Sequence, residues 1–114
     1  MNSVAKRIEL LKKDEQVFRK AGWNEEQVKA SMKKAIVVMI KELPITAEDF
    51  KQNKEFFEKY GSVDISARKF TEEPAFEDLE YQTIKRTIEQ LKQSGIKFEI
   101  NFLNKVIWKE PKDI

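Results

Sequence analysis

The sequence predicts a mainly helical chain closed by a small C-terminal β-hairpin, with a pair of N-terminal helices (residues 1–44) leading into a helix-and-hairpin domain (residues 45–114). Three observations predict it. Apolar residues recur at helical spacing through most of the first 94 positions. Gly22, Pro44, Gly61 and Gly95 fall where successive helices would stop. After Gly95 the apolar period changes from helical to alternating.

The first helix is expected from Ser3 to Ala21, with Ser3 as cap. Val4, Ile8, Leu11 and Phe18, joined by Leu10 and Val17, supply its apolar residues. Basic residues crowd it: Lys6, Arg7, Lys12, Lys13, Arg19 and Lys20 against Glu9, Asp14 and Glu15. The second helix opens on Asn24 as N-cap, with Gln27 completing a capping box and Trp23 placed to staple against Val28. Its stripe of Val28, Met32, Ala35, Ile36, Met39, Ile40 and Leu43 is joined by Val37 and Val38 from off the stripe. A helix apolar nearly all round is expected to sit centrally, covered from more than one side. Pro44 ends it.

The third helix runs from a Thr46 N-cap, with Phe50, Phe57 and Tyr60 near one face, to Gly61. A short extended stretch, Ser62–Ile65, should place Val63 and Ile65 on one side. Segment 66–78 admits two readings: a short helix capped by Ser66, or a long helix beginning at Pro74. The next helix, from about Leu79 to Ser94, buries Leu79, Ile84, Ile88 and Leu91 and is closed by Gly95. In the hairpin, Ile96–Phe102 turns through Leu103-Asn104-Lys105 into Val106–Lys109.

Composition bounds the chemistry. The 114 residues hold 22 Lys and Arg, 20 Asp and Glu, no Cys and no His. Disulfides, thiolate metal sites and the usual neutral-pH general base are thereby excluded. Three glycines leave no phosphate-cradling loop. No catalytic residue, metal ligand or cofactor site is expected, and the chain reads as non-catalytic. The N-terminus has no apolar leader, and the longest apolar run, Ala35–Ile40, falls far short of a membrane span. A cytoplasmic protein with no membrane partner is expected.

The most specific pattern is Thr83-Ile84-Lys85-Arg86-x-Ile88-x-x-Leu91-x-x-x-Gly95-Ile96, preceded by a helix ending in Gly61, the extended Ser62–Ile65 and a capping Ser66. Over residues 46–110 this order resembles the winged helix-turn-helix family, common among bacterial and phage regulators. The resemblance implies that the helix ending at Ser94 is a recognition helix, with Tyr81, Gln82, Lys85 and Arg86 facing double-stranded DNA and Asn104 and Lys105 at the wing tip. Gln, Arg and Lys are side chains that read base edges or hold phosphates. The two N-terminal helices would then build a homodimer.

Two features pull the other way. Pro74 sits where the helix-turn-helix turn is wanted, and Glu77, Asp78 and Glu80 precede the reading face. Residues 61–114 also hold 9 Lys and Arg against 10 Asp and Glu, whereas DNA affinity leans on phosphate neutralisation. The sequence therefore leads to a small DNA-binding protein of transcriptional or replicative regulator type. The alternative is a protein–protein adaptor or inhibitor of the phage or mobile-element kind, on a similar scaffold.

Overall fold

A computed structural model describes residues 2–66 and 79–103. Five helices and two strands follow in chain order: α1 (Ser3–Lys20), α2 (Glu25–Glu42), α3 (Ala47–Gln52), α4 (Lys54–Tyr60), β1 (Ser62–Ile65), α5 (Leu79–Ser94) and β2 (Glu99–Phe102). The described part is mainly helical with a two-stranded parallel sheet. The segment 67–78, the wing-tip residues Asn104 and Lys105 and the expected return strand Val106–Lys109 lie outside the described residues.

α1 and α2 form an antiparallel pair pinned at both ends. Arg7 bonds Glu42 at 3.2 Å at one end, and Arg19 meets Glu25 at the other. Asn2, not Ser3, caps α1, its side-chain oxygen accepting from the Ala5 N–H at 2.8 Å. The α1 stripe also differs from the periodic reading. Val4, Ile8, Leu11 and Glu15 are buried, while Leu10 and Val17 stand 56% and 60% exposed on the opposite side. The capping box of α2 forms as expected between Asn24 and Gln27. Trp23 lays its ring on Phe18, with centroids 4.2 Å apart and planes nearly parallel.

α2 is central: it packs on α1, β1 and α5. Val28, Met32, Ile36, Met39 and Ile40 are all buried, and only Val38 among its large apolar residues is strongly exposed. The expected third helix is two. α3 ends at Asn53, whose φ of −119° and ψ of 33° leave the helical region, and α4 restarts at once. The break lets Phe50 and Phe57 meet at 4.8 Å, with Phe98 a further 5.1 Å from Phe57. Aromatic rings at such tilted separations bury large areas with favourable quadrupole geometry.

Gly61 ends α4 at φ +81°, a backbone region that a Cβ disfavours. Its carbonyl accepts the Glu99 N–H at 2.9 Å and starts the sheet. The register is Ser62 with Glu99, Val63 with Ile100, Asp64 with Asn101 and Ile65 with Phe102. Val63 and Ile65 point inward together, as their spacing requires, and Asn101 donates to Asp64 at 2.9 Å on the outer face. β2 begins at Glu99 rather than Ile96, because the Lys97 N–H is taken by the Glu58 carboxylate at 2.7 Å instead of by a strand. One hydrophobic cluster runs from Val4 through Phe98 and joins both halves of the chain.

Candidate functional site

α5 carries four of the six residues singled out from sequence, and its inner face fixes the outer one. Ile84 and Thr87 are fully buried and Leu91 nearly so, against α2 and α3. The Thr87 hydroxyl donates to the Thr83 carbonyl at 2.8 Å, so its burial leaves no orphan donor. Gln90 accepts the Ala47 N–H at 2.8 Å and locks the helix to the start of α3. A helix gripped on one side presents the other rigidly.

The outward face consists of Gln82, Lys85, Arg86, Glu89, Lys92 and Gln93, all exposed. Three cations against one carboxylate make it net positive, although the C-terminal half of the chain as a whole is not. Tyr81 is half-buried, its ring 5.1 Å from Phe102 of β2. The Lys85 ammonium lies over that ring, 5.3 Å from its centroid, so Tyr81 underlies Lys85 as a platform. Gln82 and Arg86 are presented to solvent. Glu80, one of the acidic residues ahead of this face, is drawn towards α2 by an ion pair with Lys41 at 3.8 Å. Lys92 was not anticipated; its seven-residue spacing from Lys85, two helical turns, was the available signal.

A second polar cluster joins α1, α2 and α4. Glu15 is buried and accepts from Arg19 at 2.9 Å and from Lys59 at 2.6 Å. Burial by itself would raise the Glu15 carboxyl, but the bonds from Lys59 and Arg19 and the Lys59 charge outweigh it and hold the group below its ordinary range. Beside it, the Tyr60 hydroxyl is buried without a hydrogen-bond partner of normal geometry among the described residues. Its phenol is pushed well above the usual tyrosine value by burial and by the Glu15 charge. Together with Glu25 and Lys29 these groups line a cavity of about 190 Å³. A carboxylate locked ionised between two cations suits a structural tie better than proton transfer.

No group of three or more His, Cys, Asp or Glu residues is placed to hold a metal ion among the described residues. No described helix is long and apolar enough to cross a membrane. No protein-family model, curated protein or solved structure matches the chain.

Proposed function

We propose that the protein is a small non-catalytic DNA-binding protein of regulator type, with a winged-helix-like arrangement over its C-terminal half and α5 as the element that meets the duplex. The observation that carries this reading is the outward face of α5, where Gln82, Lys85, Arg86 and Lys92 project from a helix whose other side is buried. Cations on a rigid helix supply phosphate contacts, and Gln and Arg supply base-edge hydrogen bonds. The order of α3–α4, β1, α5 and β2 agrees with the winged-helix reading, and the Lys41–Glu80 pair removes part of the acidic objection to it.

Fluorescence anisotropy with a mixed-sequence duplex at low salt tests the proposal. The wild type should bind, and K85A/R86A should bind at least tenfold more weakly, because two phosphate-range cations are removed. Equal affinity of the two proteins would refute the assignment of α5.

A second reading, an adaptor that binds another protein, is favoured by the solvent-exposed apolar side chains Leu10, Val17, Trp23 and Val38. It predicts a stoichiometric protein partner whose binding is insensitive to K85A/R86A.

A further inference from the structure

A second basic surface lies where α1 meets the corner between α3 and α4. Lys12 of α1 lines one open cleft of about 250 Å³ together with Lys51 and Lys54, with Asn53, Glu55 and Phe56 in its wall. All three lysines are exposed. Lys12 reaches Glu9 only at 4.0 Å. Lys51 and Lys54 make no ion pair or side-chain hydrogen bond among the described residues. The corner is fixed: the Asn53 amide donates to the Asp49 carbonyl at 2.9 Å, and Phe56 is buried in the core.

The carboxylates that could neutralise these lysines are turned elsewhere. α3 and α4 hold Glu48, Asp49, Glu55 and Glu58. Glu48 accepts from the Gln52 amide at 3.3 Å, Asp49 accepts from Thr46 and Asn2, and Glu58 accepts the Lys97 N–H at 2.7 Å. Of the four, Glu55 alone lines the cleft, so three cations there face one carboxylate. Ammonium groups gathered in this way repel one another until an anion stands between them.

We propose that the cleft of Lys12, Lys51 and Lys54 is a second, sequence-independent contact for the phosphate backbone of a nucleic acid. Lysine serves phosphate as a point charge. The aromatic ring in the wall, Phe56, is only 6% exposed and offers no platform on which a base could stack. The cleft therefore meets the backbone and reads no sequence. A protein partner fits it less well, because Lys is depleted from protein–protein interfaces. The proposal takes its ligand class from the DNA-binding reading of α5 and supplies the charge which that reading lacks. Residues 1–60 hold 13 Lys and Arg against 10 Asp and Glu, whereas residues 61–114 hold 9 against 10.

Fluorescence anisotropy of the full chain with a mixed-sequence duplex, repeated over a salt series, tests the proposal. K12A/K51A/K54A should bind about tenfold more weakly than wild type or worse, with a slope of log K against log salt shallower by up to about 3. K12R/K51R/K54R keeps the charges and should bind like the wild type. Circular dichroism checks that the fold of both variants is intact. A K12A/K51A/K54A variant that binds like the wild type overturns the proposal, and leaves α5 standing if K85A/R86A is weakened. Weakening by K12A/K51A/K54A with none by K85A/R86A supports the cleft and refutes α5 alone. Wild type that binds no duplex at low salt overturns both. Polyglutamate that binds the wild type as tightly as the duplex does, and is lost in K12A/K51A/K54A, would assign the cleft to an acidic protein segment and overturn the proposal.

Discussion

The Lys59 ammonium donates to the Glu15 carboxylate at 2.6 Å and ties the end of α4 to the middle of α1 across 44 residues of sequence. Arg19 closes on the same oxygen, so one buried carboxylate serves two cations on two helices. The Glu15→Gln variant removes the charge both cations use. Because Arg19 and Lys59 are themselves partly exposed, they recover water, and the loss is limited to about 1–2 kcal/mol. Urea unfolding at neutral pH measures it.

The same carboxyl makes an acid prediction. Its folded value lies below the ordinary 4.5, so its contribution is present above that pH and is lost as pH falls through the folded value. The stability difference between wild type and Glu15→Gln should be constant from pH 6 to 8 and narrow below about pH 4.5. A difference that persists unchanged at pH 3 would show that packing, not charge, is what Glu15 supplies.

At Tyr60 the sign reverses. Burial first and the Glu15 charge second raise its phenol above the ordinary value of 10.0. The neutral ring thus contributes stability below about pH 10, lost as pH rises from there through the folded value. Of the two tyrosines, Tyr60 should form its phenolate absorbance only as the protein unfolds. Tyr60→Phe deletes a buried hydroxyl that makes no hydrogen bond of normal geometry among the described residues, so it should change stability by less than about 1 kcal/mol at neutral pH and reduce alkaline sensitivity.

Asp49 organises the start of α3. It accepts from the Thr46 N–H and hydroxyl, both at 3.0 Å, and from the Asn2 amide at 2.9 Å, joining that cap to the cap of α1. Asp49→Ala should cost about 1–2 kcal/mol. In a double-mutant cycle with Asn2→Ala the two losses should fall short of additive, since they share a bond.

The Lys41–Glu80 pair gives a prediction about binding. With Lys41 present, Glu80→Gln should change duplex affinity by no more than about twofold. In a Lys41→Ala background the same change should tighten binding more than it does with Lys41 present, because the ion pair then no longer draws the carboxylate towards α2. Equal effects in both backgrounds would deny the pair its screening role.

Much of this architecture was legible in the residues. The caps at Asn24 and Thr46, the Gly61 stop and the span of α5 from Leu79 to Ser94 follow from local rules, and the structure has all of them. Leu10 and Val17 misled because periodicity records apolarity, not which side faces the core; Glu15 took the buried position through partners elsewhere. The break at Asn53 was hidden because Phe50 and Phe57 fit one continuous helix as well as two. The parallel pairing of β1 with β2 joins residues 37 apart, and no local pattern encodes it. At the candidate site the exposure of Gln82, Lys85 and Arg86 followed from the stripe opposite them. The tie from Lys41 to Glu80 needed the packing of α2 on α5.

The salt dependence of duplex affinity tests the central claim most directly. Wild type and K85A/R86A are titrated with the same duplex between about 50 and 200 mM salt, and the slopes of log K against log salt are compared. Loss of two phosphate contacts from α5 should make the slope of the double variant shallower by about 2. Parallel slopes, or no binding by the wild type at the lowest salt, would contradict the assignment of α5 as the surface that meets DNA.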